Sequence, residues 1–248
     1  MKIQNRLINE NQPPFIVAEI SANHNNSLSR ALKLIDEAKE VGADAVKLQT
    51  FKPENIAVNS RKKKFIINDK NSLWYGKSLY DLYKVGATPW EWHHEIFKRA
   101  KKNKIICFSS PFDESAVEFL EKINCPAYKI ASFENNHFPL IKKIIDLKKP
   151  TIVSLGITKL INIKNIVSFF RKYNHKNFAL LKCTSSYPAS VEESNIKTIY
   201  DLRKRFKIEI GLSDHTPGIG AAVAAISFGA SIIEKHFTLN KKSGGLDD

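Results

Sequence analysis

Short, β-branched apolar runs recur along the chain, and each is followed by a stretch in which apolar residues return at helical spacing. The runs cover residues 15–20, 45–50, 105–110, 127–132, 151–156, 178–183, 208–213 and 231–237. The helical stretches cover 27–41, 114–123, 140–147, 161–173, 191–206 and 220–228, with a further helix expected from about Thr88. In the first, Leu28, Ala31, Leu32, Leu34, Ile35 and Ala38 share one face. The strand runs are almost continuously apolar, as parallel strands buried on both faces must be. Strand–helix alternation repeated this often predicts an α/β fold of the closed (β/α)8 TIM-barrel kind. An open doubly wound sheet would favour a glycine-rich turn after its first strand. Here that turn reads Ser21-Ala22-Asn23-His24.

Two irregularities modify the pattern. Residues 51–87 are too many for an ordinary strand–helix loop. They carry Trp74, Tyr75, Tyr80 and Tyr83, so they are expected to form a folded insertion over the barrel mouth. No helical stretch follows the eighth run, so the barrel is expected to be truncated before its last helix, as a single domain over 1–248.

Composition narrows the class. With 43% hydrophobic and 10% aromatic residues, the chain can fill a core and is not a disordered segment. Its apolar runs are far shorter than a bilayer requires. Lys2, Asn5, Arg6, Asn9 and Glu10 break any secretory signal near the N-terminus, so a cytoplasmic location is expected. Cys107, Cys125 and Cys183 suit reduced thiols rather than a disulfide frame. The net charge of +14 raises nucleic acid as a partner. The basic runs at 61–64, 101–104 and 203–207 lack interleaved aromatic residues and sit at loops or helix ends, so they read as solvated surface. No nucleic acid and no membrane partner is expected.

Barrel enzymes work at the carboxyl ends of their strands. There the sequence places Glu19, Asn23 and His24, then Lys47 and Gln49, then Ser109 and Ser110. Lys129, Ser132, Glu134 and Ser154 follow, then Lys182, Thr184, Ser185 and Tyr187. The last two strands end in Ser213, Asp214 and His215, and in Glu234, Lys235 and His236. A buried ammonium needs a carboxylate or a ligand anion beside it. Lys47 and Lys129 with Ser110, Ser132, Ser154 and Ser213 outnumber the carboxylates, which favours an anion site. His215 and His236 end adjacent strands, about 4.8 Å apart in any sheet. They could share one divalent ion with open positions left to water or substrate, or be two hydrogen-bonded core histidines. Spacing does not decide between them. His93, His94, His137 and His175 fall on helices or connections and are expected to take no part in chemistry.

The strings VAEISANHNNS (17–27), GADAVKLQTF (42–51), FSSPFD (108–113), PAYKIASFE (126–134), LLKCTSSYP (180–188), GLSDHTPG (211–218) and IEKHFTL (233–239) resemble the N-acetylneuraminate (sialic acid) synthase family. Within it, LWYGKSLYDLYKVGATPWEWH (73–93) looks most like the pseudaminic acid synthases. The resemblance implies a carbon–carbon bond-forming transferase that condenses phosphoenolpyruvate with an N-acetylated amino sugar to give a nonulosonic acid. It implies phosphoenolpyruvate contacts at Lys47, Ser110, Lys129, Ser132, Ser154, Ser185 and Ser213, and sugar contacts at Glu19, Gln49, Tyr187 and Asp247. His215 and His236 would bind the metal, Mn2+ or Mg2+, and Glu134, Glu19 and Lys129 would serve catalysis, Glu134 as base. A C-terminal antifreeze-like domain, absent from this chain, and a domain-swapped homodimer of the full-length form are further implications. The competing readings are another phosphate-handling barrel synthase, a Schiff-base aldolase, and a non-catalytic fragment.

Overall fold

The chain enters its fold through a small hairpin, β1 (Lys2–Ile3) and β2 (Arg6–Leu7), in the computed structural model, which describes residues 1–70, 72, 74–244 and 246. Ile3 and Ile8 are fully buried and join the core beneath Phe15 and Val17. The backbone of Lys2 exchanges two hydrogen bonds with the Asn177 side chain, each 2.9 Å, just before a barrel strand begins. The hairpin therefore stoppers the amino-terminal end of the barrel. Strands of two residues are too short to show a period, so the sequence pattern does not reveal them.

Eight parallel strands close the barrel. They are β3 (Phe15–Glu19), β4 (Ala45–Thr50), β5 (Ile106–Pro111), β6 (Tyr128–Ile130), β7 (Thr151–Ser154), β8 (Phe178–Cys183), β9 (Glu209–Asp214) and β10 (Ile232–His236). Strand β10 pairs back onto β3, so no edge is left open. The expected strands are all present, within a few residues. Alternate side chains serve different cores. Val17 and Ala45 join the larger apolar cluster, whereas Ala18, Val46 and Leu48 pack against the outer helices. Where β8, β9 and β10 crowd together, a Cβ on Gly211 would lie 2.4 Å from the Ile232 carbonyl oxygen, so only glycine fits.

The outer layer comprises α1 (Leu28–Glu40), α4 (His93–Lys102), α5 (Glu114–Lys122), α6 (Phe138–Asp146), α7 (Leu160–Lys172), α8 (Lys197–Phe206) and α9 (Gly220–Ser227). Side-chain caps fix two starts: Ser27 Oγ accepts from the Arg30 N–H at 3.3 Å, and Asp113 from Ser115 and Ala116 at 2.7 and 3.0 Å. The helix expected over 191–206 is shorter. Glu192–Ser194 form a single 3-10 turn, and Asn195 takes a left-handed backbone (φ 42°) that breaks the run before α8. Between β4 and α4 the insertion carries α2 (Pro53–Ile56), a 3-10 turn at Lys63–Phe65, a bridge between Ile66 and Ser78, and α3 (Leu79–Gly86). No helix follows β10 among the described residues.

Candidate active site

The pleat sorts the strand-end residues into two sets. Lys47, Gln49, Ser110, Lys129 and Ser154 face a cavity of about 330 Å³ at the carboxyl ends of the strands. Ser213, Glu234 and His236 complete the far wall, and Ser132, Ser185, Tyr187 and His215 come from the loops just beyond. The intervening Thr50, Ser109, Asp214 and Lys235 are not part of the lining. Every described residue that the sequence assigned to substrate or metal lines this one cavity. Asp247 lies outside the described residues.

At its floor is a charged cluster. Glu19 contacts Lys47 directly, and Glu234 Oε1 lies 3.6 Å from Lys47 Nζ and 3.1 Å from Lys129 Nζ. Ser213 Oγ donates to the same Glu234 oxygen at 3.1 Å, and Lys47 Nζ to Ser110 Oγ at 3.4 Å. Carboxylates balance both lysines: Glu19 stands beside Lys47 on the neighbouring strand, and Glu234 reaches Lys129 from across the barrel. Burial alone would raise the Glu234 carboxyl, but the ammonium groups of Lys129 and Lys47 pull it down to about 2. For Lys47, burial favours proton loss, yet Glu19 and Glu234 prevail and hold the proton more tightly than usual. At Lys129 burial wins, and its proton is held less tightly. Glu19 also accepts from the Ser21 N–H at 2.7 Å, while Gln49 Nε2 donates to Ser21 Oγ at 3.1 Å.

The serines meet at the loop after β7. Gly156 N–H donates to Ser132 Oγ at 3.1 Å, and a Cβ on Gly156 would come within 1.9 Å of Ser185 Oγ. Glycine therefore keeps open the space shared by these two hydroxyls. Ser154 Oγ is buried without a hydrogen-bond partner among the described residues. Such an atom costs stability unless a ligand satisfies it.

The two imidazoles face each other across the β9–β10 seam, ring centroids 5.4 Å apart. His215 Nδ1 lies 2.8 Å from the Thr184 carbonyl oxygen. A carbonyl can only accept, so Nδ1 carries a proton, and in the neutral ring Nε2 keeps the lone pair that a metal ligand needs. Burial opposes a second proton, but Cys183, the Thr184 carbonyl and Glu234 prevail and hold it more tightly than usual. Tyr187 packs 4.2 Å from the His215 ring and 5.9 Å from that of His236. Among the described residues no group of three or more His, Cys, Asp or Glu side chains could hold an ion. A pair of imidazoles with water or substrate oxygens fits an open, catalytic coordination sphere.

Other residues depart from the sequence reading. Glu134 ends a 3-10 turn (Ser132–Glu134) and is not part of the cavity lining, although Ser132 and Phe133 are. Its Oε2 is buried without a hydrogen bond among the described residues, and burial pushes the carboxyl up to about 7 against the pull of its own backbone N–H and Lys129. Asn23 and His24 turn away from the cavity. Asn23 Nδ2 donates to the Phe237 carbonyl at 3.0 Å, and His24 Nε2 lies 3.2 Å from Thr88 Oγ1. Burial first, then the charge of His93, lowers His24 to about 4, so it serves as a neutral strut.

Glu234 carries no substrate or metal role in the sequence pattern, yet it stands in phase with His236 on β10, and that alternation is the signal that marks it as cavity-facing. Cys183 was also missed. Burial would raise its thiol, but the hydrogen bond and charge of His215, with Ser132 and Lys129, bring it to about 7. Phe51, Leu82, Tyr83 and Phe112 form an apolar wall opposite the charged floor.

The profile of the NeuB family matches residues 34–248. The chain belongs to the NeuB family. Over 233 residues it is 47% identical to the pseudaminic acid synthase of Campylobacter jejuni, covering 94% of this chain and 67% of that protein. It is 39% identical over 239 residues to the N,N'-diacetyllegionaminic acid synthase of the same species, covering 94% and 70%. The crystal structure of N-acetylneuraminic acid synthetase from Leptospira borgpetersenii superposes with a TM-score of 0.89 at 31% identity, over 100% of this chain and 81% of that one. The NeuB barrel described here thus spans about two thirds of its curated relatives.

Proposed function

We propose that this NeuB-family barrel joins C3 of phosphoenolpyruvate to the aldehyde carbon of an open-chain 2,4-diacetamido-trideoxy hexose, forming a nonulosonic acid of the pseudaminic type. It is a phosphoenolpyruvate-dependent, carbon–carbon bond-forming enzyme of the pseudaminic and sialic acid synthase type. The observation that carries the reading is the convergence of Lys47, Lys129 and the unsatisfied Ser154 hydroxyl with both imidazoles in one cavity. The higher identity to the pseudaminic than to the legionaminic acid synthase supports the choice of acceptor. So does the wall of Phe51, Leu82, Tyr83 and Phe112, which suits methyl groups better than a ring of hydroxyls.

In this reading Lys47, Ser110, Lys129, Ser132, Ser154, Ser185 and Ser213 bind phosphoenolpyruvate, and Gln49, Tyr187 and Glu19 orient the sugar. Lys129 meets one carboxylate, so it has ammonium protons to offer an arriving anion. A divalent ion, Mn2+ or Mg2+, held by His215 and His236 would act as a Lewis acid on the aldehyde oxygen. The enol π electrons form the new carbon–carbon bond as the aldehyde π electrons move onto its oxygen, which takes up a proton. Water adds at the electron-poor C2 and Glu134 takes its proton; phosphate then departs with the C2–O bond electrons as the C2 hydroxyl releases its proton, leaving the 2-keto group. The free thiols and a phosphoenolpyruvate substrate suit the cytoplasm. Phe133 and Tyr187 stay 65% and 45% exposed, which suits coverage by another element, such as the partner in a domain-swapped homodimer.

Phosphate release tests the reading. With Mn2+ and phosphoenolpyruvate, the diacetamido-trideoxy hexose should support turnover at least tenfold better than N-acetylmannosamine. In 18O-labelled water the label should enter C2 of the product and not the phosphate. Equal rates would remove the acceptor assignment, and labelled phosphate would remove C–O cleavage. His236→Ala should weaken Mn2+ binding by more than the roughly 10–100-fold that loss of an outer-shell partner costs. Unchanged Mn2+ affinity in a paramagnetic-resonance titration would remove the histidines from the metal site.

A further inference from the structure

Asp214 and Lys235 face away from the cavity, yet each adjoins one of its imidazoles in the chain. They are opposite one another in the β9–β10 ladder, which pairs Leu212 with Ile233, Ser213 with Glu234, and Asp214 with Lys235. His215 and His236 come one step later, past the last of these pairs. Lys235 Nζ donates to Asp214 Oδ2 at 2.8 Å and to the Thr216 carbonyl at 2.6 Å. One ammonium therefore grips the chain on both sides of His215 while standing next to His236. The other Asp214 oxygen accepts from the Thr216 N–H at 2.9 Å and its hydroxyl at 2.8 Å, which stiffens the turn that carries His215. The Asp214 side chain is 1% exposed, so water competes little for these bonds.

Apart from Tyr187, which packs against both rings, the hydrogen bonds and strand pairing given for the two histidines tie them to different neighbours. The His215 ring is held by the Thr184 carbonyl, and its backbone oxygen accepts from Ala189 at 2.9 Å, both on the β8 side. His236 stands opposite Glu19 of β3, whose carbonyl accepts from the Phe237 N–H at 2.8 Å. The Asp214–Lys235 pair links the two segments to each other. A nitrogen ligand must sit roughly 2.0–2.2 Å from a first-row divalent ion, so small changes in ring separation are felt directly. We infer that Asp214 and Lys235 are positioning residues, a clamp behind the strands that sets the spacing of the His215 and His236 imidazoles and so their affinity for a divalent cation. The inference rests on the proposed role of those histidines as metal ligands.

The test is Mn2+ binding without substrate, followed by paramagnetic resonance and calorimetry, on the 248-residue chain. Lys235→Met removes the ammonium. The double variant Asp214→Asn/Lys235→Met does so without leaving a buried carboxylate, and asparagine keeps the acceptor for Thr216. The double variant should bind Mn2+ at least tenfold more weakly than wild type, with phosphoenolpyruvate affinity in chelator unchanged. Lys235→Arg, which retains the charge, should recover most of the affinity. Thermal melts of the metal-free proteins accompany each titration. Should the double variant not fold, the comparison of Lys235→Arg with Lys235→Gln decides by the same criterion. Wild-type affinity in charge-free variants, with His215→Ala binding weakly, overturns the clamp alone. If His215→Ala binds Mn2+ as wild type does, the ligand assignment falls and the clamp falls with it.

Discussion

Replacing Glu234 by alanine is expected to cost about 3–5 kcal/mol of folding stability, the usual penalty when one partner of a buried ion pair is removed. Phosphoenolpyruvate-dependent turnover should vanish with it. The carboxylate lies between Lys47 and Lys129, whose side chains are 5% and 2% exposed, so neither ammonium can turn to water instead. Lys47 would keep Glu19, but Lys129 would lose the carboxylate that anchors its charge. The pH dependence has a definite sign. The folded-state value near 2 lies below the ordinary 4.5, so the native state binds fewer protons than the unfolded chain. Stability from this group is present above about pH 4.5 and lost as pH falls through about 2. Urea unfolding at pH 7 and pH 4 measures the cost, and Glu234→Gln should flatten the acid limb of wild type. An alanine variant within 1 kcal/mol of wild type at pH 7 would show that the cluster does not hold the barrel floor together.

That cluster also marks how far the sequence could be read. Strand runs, their order and the closed barrel were legible because burial on both faces leaves continuous apolar stretches between helical periods. The cavity lining was legible through the same geometry: Ser110 and Ser213 face in while Ser109 and Asp214 face out, as period two requires. Charge balance was not. Lys129 and Glu234 are 105 positions apart and meet only across the closed barrel, so sequence spacing does not show which carboxylate partners which lysine. The place of His24 was not legible either: it follows β3, and a turn of the backbone sends its ring to Thr88 beside Trp92, 5.6 Å between centroids. The break before α8 depends on one left-handed residue, Asn195, which a helical period over 191–206 does not register.

Glu134 is where sequence expectation and position diverge most, and Glu134→Gln should separate its roles. Turnover is expected to fall roughly 10²–10⁴-fold, the usual contribution of a positioned general base, while phosphoenolpyruvate binding stays as it is. Wild-type turnover should rise with pH through about 7, as the buried carboxyl loses its proton and becomes able to accept one from water. The glutamine variant should lack that inflection. Stability should move the opposite way from activity. Because the folded value lies above the ordinary 4.5, the native state holds an extra proton between about pH 4.5 and 7. Its contribution to stability is complete below about pH 4.5 and is lost as pH rises through 7, when a carboxylate with its buried Oε2 unbonded among the described residues must carry charge. At 1.36 kcal/mol per pH unit the difference is about 3 kcal/mol, so Glu134→Gln should be the more stable protein at pH 8. Normal turnover in the glutamine variant, with the wild-type pH profile intact, would take Glu134 out of the reaction and leave its burial unexplained.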